Sequence, residues 1–185
     1  MPVTTLDPRT ALIIVDLQKG IVGLALADGI ETIIDNSRQL ADAFRRKGLP
    51  VVLVNVDGGA PGRAEQSRPL RDLPADWAEI VPELGARPED IKVTKRTWGA
   101  FASTDLEQKL EALGVTQVVI TGVATSIGVE STARQAYEAG FNVTLAIDAM
   151  TDLRPEAHRA SIAYIFPRLG ETGTTQQIIG LLERS

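Results

Sequence analysis

Short runs of β-branched and aliphatic residues recur along this chain at 11–15 (ALIIV), 51–56 (VVLVNV), 118–121 (VVIT) and 143–147 (VTLAI), with a weaker one at 91–94 (IKVT). They do not alternate with polar residues, which is the pattern of strands buried on both faces. Helical periods lie between them. Ile30, Ile33, Ile34, Leu40, Ala41 and Phe44 recur at a spacing of three or four, and Gly48 is placed to end that helix. Thr104 followed by Glu107 reads as a capping box for a helix carrying Leu106, Leu110 and Leu113 and closed by Gly114. Further helices are predicted over 129–139, closed by Gly140, over 155–166, with Pro155 in its first turn, and over 176–184. Strands alternating with helices specify an α/β fold: a parallel sheet with right-handed crossovers covered by helices on both faces.

The rhythm breaks only between Asp57 and Pro88, where Gly58, Gly59, Pro61, Gly62, Pro69, Pro74 and Pro82 mark a long excursion of the kind that more often carries function than decoration. With 185 residues and no internal repeat or linker, residues 1–185 read as one domain.

Composition excludes several chemistries. There is no cysteine, so disulfides, thiolate zinc sites and a cysteine nucleophile are ruled out, and the single histidine, His158, rules out a multi-histidine metal centre. A net charge of −5 with few aromatics and no basic run offers little to nucleic acid. The first ten residues lack a basic-then-apolar leader, and the uncharged run at 115–129 is too short and too polar to span a membrane. The expectation is a cytoplasmic protein that acts on a small molecule.

In an open parallel sheet, ligands bind beyond the carboxyl ends of the strands, near the point where strand order reverses. Asp16 directly follows the first apolar run and Lys95 follows the weaker one. The turn at 122–128 (GVATSIG) leads from the run at 118–121 into a helix, so its backbone N–H groups can converge on an anion or a developing oxyanion. Taken singly, these are an ordinary turn-capping Asp, a solvated Lys and a common glycine-rich turn; together they mark one rim. The turn does not have the G-x-G-x-x-G spacing, which argues against a nicotinamide cofactor.

The stretches DLQ at 16–18, KRTWGAF at 95–101, TGVATSIGVESTAR at 121–134 and DAMTD at 148–152 together resemble the isochorismatase-like hydrolase superfamily, across nearly the whole chain. The resemblance implies a three-layer αβα architecture around a six-stranded parallel sheet of order 3-2-1-4-5-6, a homo-oligomer, and a cis peptide bond before Ala124. Most members are amidohydrolases with an Asp, Lys, Cys triad. Asp16 and Lys95 match its first two members, and Gly128 stands where the Cys would be. The metal site of the nicotinamidase branch, an Asp with two His, has no counterpart around Asp57. The isochorismatases proper also lack the Cys and can carry Gly there, hydrolysing an enol ether by acid–base chemistry, but they share a Tyr-Ala-His stretch where this chain has Ala124-Thr125-Ser126. The implied activity is a cofactor-independent, metal-free hydrolase; the alternative is a catalytically silent relative that binds a small molecule or serves as an oligomeric module.

On this reading Asp16 is the general acid or base, and Lys95 neutralises it or binds developing negative charge. Gly128 and Ala124 contribute backbone N–H groups. Trp98 and Phe101 form an apolar wall for a planar ligand, or else pack in the core or against another subunit. Gln18 orients substrate or water, or satisfies backbone at its turn. Arg63, Arg68 and Arg96 are candidate carboxylate partners. His158 is read as a surface or packing residue, Asp148 and Asp152 as caps for the helix at Pro155, and Ser126 and Ser131 are set aside as nucleophiles because no histidine base can be placed near them.

Overall fold

The computed structural model describes residues 2–24, 26, 29–66 and 73–184. Six strands, β1 (Thr10–Val15), β2 (Val51–Val56), β3 (Ile91–Lys95), β4 (Gln117–Val123), β5 (Asn142–Thr151) and β6 (Glu171–Gly173), form one sheet of order β3-β2-β1-β4-β5-β6. Every pairing is parallel. Strand order therefore reverses between β1 and β4, so the crevice between their carboxyl ends is where the topology opens a site.

Seven α-helices lie among the described residues: α1 (Lys19–Val22), α2 (Ile30–Arg46), α3 (Leu106–Ala112), α4 (Glu130–Glu138), α5 (Pro155–Ala160), α6 (Phe166–Leu169) and α7 (Thr175–Arg184). The unbroken apolar strands feed two cores. On one face Ala11, Ile13 and Val15 pack with Leu106, Leu110, Ala133, Ala136 and Phe166 from α3, α4 and α6. On the other, Leu12 and Ile14 pack with Ile33, Leu40, Phe44, Ile178 and Leu182 from α2 and α7. Alternate residues of one strand thus point to opposite helical layers, which is why β1 contains no polar residue after Thr10.

Gly122 sets the approach of β4 to β1. Its φ is +117°, and a β-carbon there would stand 2.0 Å from the Val15 carbonyl oxygen, so only glycine fits beside the residue that precedes Asp16.

Several sequence expectations shift. The helix expected over 155–166 is instead α5, a π-helical turn (Ser161–Ile165) and α6. Likewise α4 is preceded by a π-helical turn (Thr125–Val129) rather than starting at Val129. The capping box does not form: Thr104 Oγ1 accepts from Leu106 N and donates to the Ala100 carbonyl, while Asp105 occupies the position before α3. In the excursion, residues 77–81 run back antiparallel along residues 17–20, with Lys19 N donating to the Glu79 carbonyl, Gly20 N to Trp77 and Val81 N to Leu17.

Candidate active site

Asp16 is the first residue beyond β1; its N–H still reaches the Val54 carbonyl, and its backbone then turns left-handed with φ 53°. Among the described residues it alone, other than glycine, has positive φ, a conformation Asp tolerates better than most residues and one that gathers at functional sites. Its side chain is 7% exposed. Lys95, the last residue of β3, extends across the end of β2 and donates from Nζ to Asp16 Oδ2 at 2.7 Å and to the Thr97 carbonyl at 3.2 Å. The other carboxylate oxygen, Oδ1, is buried with no hydrogen-bond partner among the described residues. Burial raises the Asp16 pKa from 3.8 to about 6, and the Lys95 charge and hydrogen bond offset only part of that rise. A carboxyl poised there exchanges its proton near neutral pH.

The turn after β4 faces this pair. The Val123–Ala124 peptide bond is cis, as the resemblance implies. The Ala124 carbonyl then accepts from Ile127 N and Val129 N, the second bond giving the turn its π-helical width. A β-carbon on Gly128 would lie 3.2 Å from Asp16 Oδ2, 3.1 Å from Val15 Cγ1 and 3.2 Å from the Val123 carbonyl, so residue 128 presents its side-chain direction to the acid. Thr132 ties the turn to the Lys95 loop: its hydroxyl donates to the Gly128 carbonyl at 2.7 Å and accepts from Ala100 N at 3.1 Å.

The structure therefore brings together Asp16, Lys95 and the 124–128 turn, and it sends other candidates elsewhere. Gln18, expected to bind substrate, is buried with its carboxamide committed to backbone: Nε2 donates to the Val56 and Trp77 carbonyls, and Oε1 accepts from Val56 N. It pins the excursion to the sheet. Phe101 is likewise taken up by the core, its ring 5.9 Å from Phe141, because the backbone of residues 99–101 is drawn onto α4 by Gln135. Trp98 stays 65% exposed beside the site, available to a ligand or a second chain. Arg96 is exposed and paired with Asp57, Arg63 is exposed, and Arg68 lies outside the described residues.

Behind the turn sits a set of contacts that sequence reasoning missed. His158, read from the sequence as a surface or packing residue, places Nδ1 2.8 Å from the Thr125 hydroxyl. Asp152 receives Ser126 N at 2.7 Å as well as Arg154 N, and Asp148 caps α7 through Thr175 rather than the helix at Pro155. The available signal was topological: β4 and β5 are neighbours, so the segments leaving their carboxyl ends must meet. Thr125 is not thereby a nucleophile, since it is fully buried and also contacts the Thr151 carbonyl.

No group of three or more His, Cys, Asp or Glu side chains suited to a metal ion occurs among the described residues, and no described helix is long and apolar enough to cross a membrane. A cleft of about 320 Å³ lined by Asp7, Gln117, Tyr137 and Asn142 lies at the opposite, amino-terminal ends of β4 and β5, away from Asp16 and Lys95.

Residues 10–177 match the model of the Isochorismatase domain. The chain is similar to the isochorismatase family protein YwoC of Bacillus subtilis, 42% identical over 178 residues that cover 92% of this chain and 93% of that one. It is 30% identical to Nicotinamidase 3 of Arabidopsis thaliana, covering 84% of this chain and 81% of that one. The structure of an isochorismatase family protein from Burkholderia thailandensis superposes with a TM-score of 0.93 at 38% identity, covering 97% of this chain and 98% of that one. Matched over nearly all of its length by sequence and by fold, the chain belongs to the isochorismatase family of hydrolases.

Proposed function

We propose that this family member is a cofactor-independent hydrolase of a small molecule, in which Asp16 and Lys95 carry acid–base chemistry and Gly128 stands where amidohydrolase relatives hold a cysteine. The observation that carries the reading is the buried Asp16 carboxyl, bonded through Oδ2 to Lys95 and without a hydrogen-bond partner at Oδ1 among the described residues, with Gly128 directed at it. A thioester route is closed to a chain without cysteine. An enol ether suits the remaining groups. Protonated Asp16 delivers its proton to the vinyl carbon, the double-bond electrons form the new C–H bond, and an ether-oxygen lone pair completes an oxocarbenium ion. Asp16 is left as a carboxylate that the Lys95 ammonium stabilises. Water then adds to the cationic carbon and returns a proton to Asp16, and the hemiketal collapses to a ketone and an alcohol. Backbone N–H groups at Ala124 and Gly128 serve any negative charge on the substrate. The reading includes self-association, with Trp98 at the contact.

The test is a turnover screen of the purified chain on isochorismate, other enol ethers and small amides, with Asp16→Ala as control. Hydrolysis of an enol ether by the wild type alone is expected. Turnover that survives in Asp16→Ala, or saturable binding without turnover of any of these compounds, overturns the proposal, the second in favour of a silent binding protein.

A further inference from the structure

The catalytic turn is held from behind by one short helical unit. From α5, His158 meets Thr125 at the start of the turn. One turn later, Ser161 donates from Oγ to Glu130 Oε2 at 2.6 Å, just past the end of the turn. Gly128 lies between these two anchors, so a displacement of either moves the residue that faces Asp16. The Thr125 hydroxyl has a single hydrogen and two partners, the Thr151 carbonyl at 3.1 Å and His158 Nδ1 at 2.8 Å. A carbonyl can only accept. If Thr125 donates to Thr151, the imidazole must donate from Nδ1, which fixes its tautomer and leaves Nε2 unprotonated in the neutral ring.

We propose that His158 is a positioning residue: by donating from Nδ1 to Thr125 it holds the 125–129 turn in the register that keeps Gly128 against Asp16. The inference rests on the reading of Asp16 and Gly128 as one site, and it adds a residue that never touches the substrate.

Because His158 is the sole histidine, its ring gives one set of imidazole signals in this 185-residue chain. Nitrogen-15 NMR of histidine-labelled protein at pH 8 should show Nδ1 protonated and Nε2 not. The opposite tautomer overturns the proposal, whatever the function of the protein.

The second arm reads the turn itself through the alkylation rate of the thiol in Gly128→Cys, using iodoacetamide. Adding His158→Phe should slow alkylation at least fivefold in protein whose circular dichroism is unchanged. Adding His158→Asn should keep the rate within twofold, because the Asn amide nitrogen sits at the same bond distance from Cα as Nδ1, whereas His158→Gln, which mimics Nε2, should not. Should Gly128→Cys fail to fold, the same series is read in the wild-type background as exchange protection of the Val129 amide, which donates to Ala124 across the turn. Indifference to His158→Phe overturns the positioning role alone. A thiol that Asp16→Asn does not slow strikes instead at the reading of Asp16 and Gly128 as one site.

Discussion

Asp16 combines three features that each oppose folding: a left-handed backbone, burial, and a carboxylate oxygen without a hydrogen-bond partner among the described residues. Their coincidence on one side chain is what marks it as more than a turn cap. The raised pKa also fixes a pH dependence. A carboxyl that titrates at 3.8 when unfolded and at about 6 when folded binds its proton more tightly in the native state. Its contribution to stability is therefore fully present below pH 3.8 and is lost as pH rises through about 6. The shift corresponds to about 3 kcal/mol at full ionisation. Asp16→Asn has no such proton to lose. Urea unfolding of wild type and variant should show the wild type losing on the order of 3 kcal/mol relative to Asp16→Asn between pH 4 and pH 7, and a difference that stays constant across that range would contradict a raised pKa. The same variant should abolish hydrolysis, and wild-type kcat/KM on an enol ether should fall above about pH 6, where the acid form disappears.

Lys95 supplies the opposing prediction. It lowers the Asp16 pKa without cancelling the effect of burial, so Lys95→Met removes that restraint and leaves the conjugate base without its counter-charge. The break in the pH–rate profile should move above 6, while kcat/KM falls at least tenfold, about 1.4 kcal/mol of transition-state stabilisation. An unchanged profile would place Lys95 outside the chemistry.

At the scale of elements, the strands β1 to β5 were legible because unbroken apolar runs leave few alternatives, and each of the five contains the run that predicted it. The short β6 (ETG) has no such run and came only through the resemblance. The π-helical turns at 125–129 and 161–165 were not legible, since their extra residue per turn answers to contacts between segments distant in sequence: Thr125 with His158, and Glu130 with Ser161. The same holds for the buried Arg45–Asp90 pair, which fastens α2 to the start of β3 across 45 residues of sequence. Gly122 gives the sharpest test at this scale. Its positive φ and the 2.0 Å approach of a β-carbon to the Val15 carbonyl mean that Ala cannot enter without moving β1 or β4. Gly122→Ala should destabilise the chain by about 3 kcal/mol or more, read as a lower urea midpoint, and should disturb Asp16 one residue beyond the contact. A variant of wild-type stability would mean that the two strands separate freely here.

For the whole molecule, the fold follows from parallel pairing and strand order, while the site follows from where that order reverses. The residues that lie flush with the switch point, Asp16 and the 124–128 turn, could be read from position in the sequence. Gln18 and Phe101 could not, because whether a side chain near the rim faces the crevice or the scaffold depends on the excursion and on α4, which pack against them from far along the chain. The rim also carries the exposed apolar residues Trp98 and Leu153, each a few residues beyond a strand end, with Tyr164 on the π-helical turn after α5. A large apolar side chain exposed three residues beyond Lys95, as Trp98 is, suits a contact with a second chain, which would shield it and narrow the entrance beside Lys95. Light scattering should therefore give a mass that is a multiple of the single-chain 19.8 kDa. Trp98→Arg, which sets a solvated charge on that surface, should return the mass to one chain and weaken substrate binding together. A wild-type mass near 19.8 kDa at working concentration would show that each chain closes its own site, with Trp98 left to meet the ligand alone.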